Sequence, residues 1–93
     1  MKVVWSRRAI RDLTGARTYI ARHNPSAANE TAMRIIDAVD TVSRQPQIGR
    51  AGRIGGTREF VVAGTPYILI YRLRKQRIDL AHVYDSRQAW PPS

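Results

Sequence analysis

Hydrophobic residues along the chain follow two kinds of spacing, helical in the first half and strand-like in the second. Between Arg7 and His23 they recur every three or four positions, which places them on one face of a helix. Asn24 and Pro25 then provide a capping side chain and a first-turn proline, and the helical spacing continues to about Arg44. Because the connection is so short, the two predicted helices form an antiparallel hairpin.

Strand-forming segments lie on both sides of the helical hairpin. Before it, residues 2–5 are β-branched and aromatic, and Ser6 is suited to cap the first helix. After it, turns separate three further predicted strands, 57–62, 67–73 and 77–84. The middle one of these is apolar on both faces, which is typical of a central strand covered by helices on one side and partly covered on the other. The sequence therefore predicts an α+β fold of order β-α-α-β-β-β, with an antiparallel helical hairpin packed on one face of a mostly antiparallel sheet.

Three residues give sharper expectations about packing. Gly15 lies inside the first helix, where a glycine costs about 1 kcal/mol relative to alanine. The usual reason to tolerate this cost is the close approach of another helix, so we expect a close helix contact at this position. Trp5 and Tyr19 are expected to belong to the core.

A glycine-rich loop joins the second helix to the later strands. Residues 47–56 carry four of the six glycines, together with Arg50 and Arg53. The glycine spacing matches neither the phosphate-binding Walker loop nor a dinucleotide-binding turn. The simplest interpretation is a flexible, basic connecting loop.

Length and composition limit the classes of function. The 93 residues suffice for a single domain, 1–93, because two domains would each be too small to hold a core unaided. No apolar run reaches the ~20 residues that span a bilayer, and the first residues turn polar too soon for a signal segment, so we expect no membrane contact and a cytoplasmic location. Because the chain has no cysteine and only two histidines, we expect no metal cofactor.

The charge is the most informative feature of the composition. Sixteen Lys and Arg against seven Asp and Glu give a formal net charge of +9, and fourteen of the sixteen basic residues are arginine. Residues 44–77 hold eight of these basic residues and a single acid, Glu59. Arginine presents a planar fork of donors that matches carboxylate and phosphate groups. The charge therefore predicts a polyanionic or acidic partner.

Four motifs follow one another along the chain. They are Pro-Gln-Ile-Gly-Arg at 46–50, Gly-Thr-Arg-Glu-Phe-Val-Val at 56–62, Thr-Pro-Tyr-Ile-Leu-Ile-Tyr-Arg at 65–72 and Arg-Gln-Ala-Trp-Pro at 87–91. In these motifs and in its helix spacing the chain resembles the ParE/RelE superfamily of bacterial toxins over nearly its whole length, and the second and third motifs look closer to the ParE branch. The chain departs from the family pattern at Asp85-Ser86, where a His-Gly pair is usual, so a role that depends on that histidine does not carry over.

The two branches of the superfamily imply different activities. ParE-like toxins bind and inhibit DNA gyrase without a known hydrolytic reaction of their own, whereas RelE-like toxins cleave messenger RNA on the ribosome. The closer resemblance to ParE implies the toxin of a type II toxin–antitoxin system that is not an enzyme, needs no cofactor and inhibits DNA gyrase by direct binding. The alternative is a RelE-like ribosome-dependent mRNA endoribonuclease.

The chemistry of RNA cleavage bears on this choice, because the 2′-hydroxyl must lose its proton to a base. RelE-like enzymes resemble one another in a lysine pair in the central loop and a tyrosine beyond the final arginine, but this chain has Arg50, Arg53 and Trp90 there. An arginine does not usefully deprotonate at neutral pH. His23 and His82 remain as possible bases. The simpler interpretations are a cation at the end of the first helix for His23 and a partly buried structural residue for His82.

The candidate target-binding residues are mostly arginines. Arg58, Arg72 and Arg87 are expected to converge on the sheet face that points away from the helices. Alternatively, Arg58 is structural and pairs with an acid such as Asp85. Trp90 is expected either to contact a partner or to pack back on its own sheet. The complete predicted set is Arg50, Arg53, Arg58, Arg72, Arg87 and Trp90.

The resemblance also implies a protein partner, a ParD-like antitoxin that neutralises the toxin. We expect this antitoxin to be acidic, with a C-terminal half that is unfolded alone and wraps around the basic domain. We expect no sequence-specific nucleic-acid binding by the toxin itself. A third interpretation of the chain, a basic nucleic-acid-binding module without toxicity, is disfavoured because the sequence shows neither a recognition helix nor aromatic stacking platforms.

Overall fold

Two helices and five strands make up the computed structural model, which describes residues 1–89 and 91. The helices are α1 (Arg7–Ala21) and α2 (Pro25–Arg44). The strands are β1 (Lys2–Trp5), β2 (Arg50–Ala51), β3 (Arg58–Val61), β4 (Tyr67–Leu73) and β5 (Arg77–Asp85). The predicted order is confirmed, with one addition: the short strand β2 lies inside the segment that was predicted to be a flexible loop.

Both helices begin at the residues that the sequence indicates. The Ser6 side chain accepts a hydrogen bond from the Ala9 backbone nitrogen at 2.9 Å. Asn24 accepts one from the Ala27 nitrogen at 3.1 Å, and Pro25 occupies the first turn of α2. These side chains satisfy backbone donors that have no partner within the helix, which fixes where each helix starts.

The strands form one mixed sheet in the order β1-β5-β4-β3-β2. β1 runs parallel to β5, and all other neighbouring pairs are antiparallel. The first and last strands of the chain are therefore neighbours, and β4 occupies the centre. Along the sequence, the helical hairpin follows β1 and precedes the other strands. In the structure, the hairpin covers one face of the sheet.

Two apolar clusters flank β4. The larger one lies between the helices and the sheet and includes Ile35 of α2 and Leu69 and Tyr71 of β4, all fully buried. Trp5 is partly buried against this cluster, as expected. The smaller cluster, on the face away from the helices, consists of Ile68, Ile70 and Tyr84. The prediction that β4 is covered on both faces is therefore confirmed.

Two packing expectations for α1 were wrong. A Cβ atom built on Gly15 would meet nothing within 4 Å, so no helix approaches closely there. Tyr19 is 55% exposed and does not belong to the core. Helical spacing identifies the face that an apolar residue shares with its neighbours, but it does not show where the packed face ends.

A buried tyrosine connects the central strand to the segment that follows α2. The Tyr71 hydroxyl donates a hydrogen bond to the Pro46 carbonyl at 2.8 Å and accepts one from the Gly49 nitrogen at 2.9 Å. A Cβ atom on Gly49 would lie 2.6 Å from that hydroxyl oxygen, so only glycine leaves room for the tyrosine. The pair of glycine and tyrosine fixes the entry of the chain into β2.

Neither helix is long and apolar enough to cross a membrane, within residues 1–89 and 91.

Candidate target-binding surface

A buried carboxylate organises the glycine-rich segment. Glu59 of β3 is 2% exposed and lies opposite Ile70, on the sheet face away from the helices. Its Oε2 accepts a hydrogen bond from the Arg53 backbone nitrogen at 2.9 Å. Its Oε1 accepts hydrogen bonds from the Nη2 atoms of Arg50 and Arg53, each at 3.2 Å. Glu59 therefore holds the segment against the sheet and partly neutralises two arginines.

The protonation of Glu59 follows from this environment. Burial acts to raise the pKa of the carboxyl group, but the hydrogen bonds from Arg53 and Arg50 and the positive charge of Arg53 outweigh it and hold the pKa below its ordinary value. Glu59 is therefore ionised at neutral pH, and each of its oxygens already accepts hydrogen bonds from within the chain.

Further hydrogen bonds fix the rest of the glycine-rich segment. The Gly52 nitrogen donates to the Thr57 carbonyl at 2.8 Å, and the Thr57 hydroxyl donates to the Ile54 carbonyl at 2.6 Å. Arg72 of β4 donates through Nη1 to the Gly55 carbonyl at 3.0 Å. The predicted basic connecting loop therefore contains the short strand β2, and side chains from β3 and β4 bond its backbone.

Arg58 is also a structural residue. Its Nη1 donates to the Gly49 carbonyl at 2.8 Å and to the Gln47 carbonyl at 3.2 Å. Arg58 lies opposite Tyr71, whose side chain belongs to the core cluster on the helix side. The alternative in which Arg58 is structural is thus supported, with backbone carbonyls as its partners in place of Asp85.

Arg87 lies at the other end of the sheet. It donates to Asp85 through Nε at 2.9 Å and through Nη2 at 2.7 Å, and these hydrogen bonds hold the pKa of Asp85 below its ordinary value. Asp85 lies opposite Tyr67 at the start of β4, whereas Arg72 is five residues further along this strand, which corresponds to about 17 Å.

The predicted convergence of three arginines on one face was therefore wrong. Arg58 is on the helix side of the sheet, Arg72 is on the opposite face, and Arg87 is at the far end. A residue's position along a strand does not reveal which residue lies opposite it, and the register of the sheet separates these side chains. Trp90 lies outside the described residues, so its predicted contact stays a prediction.

Four predicted residues do come together around the glycine-rich segment. We call this group the basic corner: Arg50, Arg53, Arg58 and Arg72, with the backbone of residues 47–57 that they hold. The side chains of Arg50 and Arg53 remain 61% and 49% exposed even though both bond Glu59. The basic corner thus presents cations to solvent in fixed positions.

A second group of basic residues was not singled out from the sequence. Arg74 and Arg77 share the carboxylate of Asp79, with nitrogen–oxygen distances of 3.0 and 2.8 Å. Lys2 of β1 is the register partner of Arg77. The excess of basic residues between 44 and 77 was a signal for this group. The parallel pairing of β1 with β5, which adds Lys2, had no signal in the sequence.

The basic corner contains no proton acceptor suited to RNA cleavage among the described residues. The Glu59 side chain is 1% exposed, and burial raises the pKa of the Tyr71 hydroxyl. His82 lies elsewhere, with its Nδ1 at 3.7 Å from Asp12 Oδ2, and its pKa is lowered mainly by burial. The prediction of a partly buried His82 is confirmed, since its side chain is 26% exposed. The exposed His23 follows α1 and contacts only the Tyr19 ring among the described aromatic rings.

A cleft of about 480 Å³ lies between α1 and the end of β5. Its lining includes Gly15 and Tyr19, the two α1 residues whose packing differs from the prediction. It also includes the ion pair of Asp85 and Arg87. No group of His, Asp and Glu side chains that could hold a metal ion occurs within residues 1–89 and 91.

The known proteins that match nearly the whole chain agree on the class of protein. Residues 3–90 match the family model described as the ParE toxin of the type II toxin–antitoxin system parDE. The chain is 39% identical over 90 residues to "Putative toxin Y4kP" of Sinorhizobium fredii, covering 97% of this chain and 93% of that protein. It is 36% identical over 88 residues to "Toxin RelE2" of Caulobacter vibrioides, covering 95% and 94% of the two chains. Among solved structures, a chain of the chromosomal ParDE toxin–antitoxin system from P. aeruginosa matches with a TM-score of 0.84 at 19% identity, covering 91% of this chain and 95% of that chain.

We predict that Arg58→Ala destabilises the fold more than Arg87→Ala. Arg58 bonds two carbonyls of the segment that leads into β2, and leaving such groups without a partner costs about 1–3 kcal/mol. Arg87 forms an exposed ion pair, so its removal should leave the melting temperature close to that of the wild type. Thermal unfolding followed by circular dichroism measures both variants. Equal melting temperatures would show that Arg58 does not support the segment.

We predict that Glu59 contributes stability that depends on pH. Because the pKa of Glu59 is lower in the folded chain than its ordinary value of 4.5, the contribution is complete above that value and is lost as the pH falls through the folded pKa. Glu59→Gln should therefore lower the free energy of unfolding by about 1–3 kcal/mol at pH 7, and the difference from the wild type should shrink below pH 4.5.

Urea unfolding at several pH values between 7 and 3 measures this difference. Glu30→Gln is the matched control, because Glu30 pairs with Arg34 on α2 and its side chain is 67% exposed. A difference between wild type and Glu59→Gln that stays constant over this range would mean that the ionised carboxylate does not stabilise the basic corner.

Proposed function

Because the chain belongs to the ParE toxin family of type II toxin–antitoxin systems, we propose that it inhibits DNA gyrase by direct binding and is not itself an enzyme. The ParE family match and the ParE-like motifs at 56–62 and 65–72 support gyrase as the target. The physical properties of the basic corner support binding in place of catalysis.

The observation that carries this proposal is the combination of fixed cations with the lack of a suitable base in the basic corner, as far as the described residues extend. A general base must reach the proton that it abstracts. Glu59 does not, because its side chain is 1% exposed and is bonded to two arginines. The arginines themselves stay protonated. The basic corner therefore supplies the cations that a phosphate or carboxylate partner needs, without the proton transfer that RNA cleavage needs.

Preorganisation favours binding by the same residues. Glu59 holds Arg50 and Arg53, and the Gly55 carbonyl holds Arg72. Side chains that are already ordered lose less conformational entropy when they meet a partner. We assign target contact to Arg50, Arg53, Arg72 and Arg87, together with the predicted Trp90. Arg58 acts as a positioning residue through the backbone of the basic corner.

A RelE-like ribonuclease is the second candidate. The observation that favours it is the 36% identity to a protein named Toxin RelE2, which covers 94% of that protein. Its chemistry would need a base outside the basic corner. Histidine is the side chain best suited to act as such a base, and His82 is one of the two histidines. However, His82 is partly buried and lies beside Asp12, as expected for a structural residue.

We predict that the purified protein blocks DNA supercoiling by gyrase, or traps gyrase on cleaved DNA, and leaves messenger RNA intact. A supercoiling assay and an in vitro translation assay with the same preparation test both parts. Arg50→Gln/Arg53→Gln should weaken gyrase inhibition, whereas Arg17→Gln/Arg22→Gln, which removes the same charge from the helical hairpin, should not. Transcript cleavage in the translation assay with gyrase unaffected would favour the RelE-like alternative.

We also propose that an acidic, ParD-like antitoxin neutralises this protein. The family consists of toxins of toxin–antitoxin systems, and the matching structure is of a ParDE system. The chain offers two features to such a partner: its net charge of +9 and exposed apolar side chains on the helical hairpin. The exposed apolar side chains of the hairpin include Ile10, Met33 and Ile36, which are 53%, 60% and 43% exposed.

We predict that the antitoxin's affinity falls only in part when salt is added. Salt screens exposed ion pairs, but it does not weaken apolar contacts. Calorimetric titration at low and high salt, with the antitoxin that we expect to be encoded beside this gene, measures the two contributions. Complete loss of binding at high salt would exclude an apolar contribution. A C-terminal segment that stays disordered in the complex, measured by NMR, would contradict the wrapping model.

A further inference from the structure

Two carboxylates on one sheet face each hold two arginines. Glu59 binds Arg50 and Arg53, and Asp79 binds Arg74 and Arg77. Each group keeps a net charge of +1, because one carboxylate neutralises only one of its two guanidinium groups. The arginine side chains in the two groups are between 49% and 61% exposed. They are fixed by their carboxylates and still accessible to a ligand.

Arg72 lies between these two groups. It is the register partner of Asp79, and its guanidinium donates to the Gly55 carbonyl beside the Glu59 group. Lys2 is the register partner of Arg77 at the opposite edge, and Lys75 is exposed in the turn between β4 and β5. These cations form a basic row across the sheet on the face away from the helices: Lys2, Arg50, Arg53, Arg72, Arg74, Lys75 and Arg77.

The size and charge of the basic row fit a regular polyanion. Seven cations and two carboxylates give a net charge of +5, more than half of the chain's +9. The row crosses five strands, about 19 Å at the usual spacing between strands. Along a DNA duplex that length covers about five to six base pairs, which carry about eleven phosphate charges.

We propose that the basic row binds the phosphate backbone of double-stranded DNA without sequence preference. This inference goes beyond the proposed function, because the chain would bind DNA on its own, in the absence of gyrase. It also adds residues of β1, β5 and the turn that the predicted target-binding set does not contain. On a gyrase–DNA complex, the same surface would hold the toxin against the duplex.

The shape of this face favours a duplex over single-stranded nucleic acid. Proteins that bind single strands stack the bases on exposed aromatic side chains. The described aromatic residues on this face do not offer such a platform: Tyr84 is 6% exposed in the smaller apolar cluster. A sheet with cations along one end is suited to contact backbone phosphates. Because the described elements include no recognition helix, we expect no sequence-specific contacts with the bases.

Binding of a fluorescent 20-bp duplex of mixed sequence, followed by anisotropy between 50 and 300 mM salt, tests the proposal. We expect log K to fall linearly with log salt with a slope of about −4 to −5, the value for about five neutralised phosphates. A second duplex of unrelated sequence should bind within about twofold of the first, as backbone contacts require.

Paired substitutions separate the basic row from net charge in general. Arg74→Gln/Lys75→Gln leaves Asp79 bonded to Arg77 and should weaken binding and lower the magnitude of the salt slope by about two. Arg11→Gln/Arg22→Gln, which removes the same charge from exposed positions of the helical hairpin, should leave the slope unchanged. Asp79→Asn should strengthen DNA binding, whereas Glu30→Gln on α2, with the same change of net charge, should not. Melting temperatures verify that every variant is folded.

Several results would overturn the proposal. Equal weakening by the two double substitutions would show that net charge alone attracts the DNA. Tighter binding of single-stranded RNA or duplex RNA than of duplex DNA would assign the surface to RNA. Salt-independent binding, or no binding at 50 mM salt, would show that the basic row does not contact DNA phosphates.

The DNA-binding proposal and the proposed function can fail separately. DNA binding by a protein that leaves gyrase active would support DNA binding by the basic row and contradict the inhibition of gyrase.

Discussion

The bonding of Glu59 to Arg50 and Arg53 is the interaction on which the basic corner depends. A carboxylate that is 2% exposed must be paired, because an isolated buried charge is strongly unfavourable. The hydrogen bonds that satisfy it come from a glycine-rich segment that lacks regular structure except for the two residues of β2. The need to pair one buried acid thus orders the segment and fixes the directions of its arginines.

The central strand supports this arrangement from both faces. On the helix side, Tyr71 contacts Pro46 and Gly49 and fixes the start of the glycine-rich segment. On the other face, Arg72 bonds the Gly55 carbonyl near its end. Adjacent residues of β4 point to opposite faces of the sheet, so a single strand holds both ends of the segment. Core packing and the placement of the basic residues are therefore coupled in this fold.

The distribution of charge connects the fold to its partners. Arginines that would be mobile on a flexible loop are held here by carboxylates or backbone carbonyls, and their side chains remain about half exposed at Arg50 and Arg53. Such a surface loses little entropy on binding and attracts anions over a long range. In the proposed function the same charge also attracts an acidic antitoxin, so inhibition of a target and neutralisation by an antitoxin would draw on one physical property of the chain.

The sequence by itself determined the helices, four of the five strands and their order along the chain. Capping by Ser6 and Asn24 and the apolar spacing act locally, so they are visible in the order of residues. It did not determine that Glu59 would be buried, that β2 would form or that Arg58 and Arg72 would lie on opposite faces. Those features depend on the register in which β2 pairs with β3 and β3 pairs with β4, contacts between residues of different elements. Only the tertiary structure decides them, because a shift of one residue in register moves every side chain of a strand to the other face.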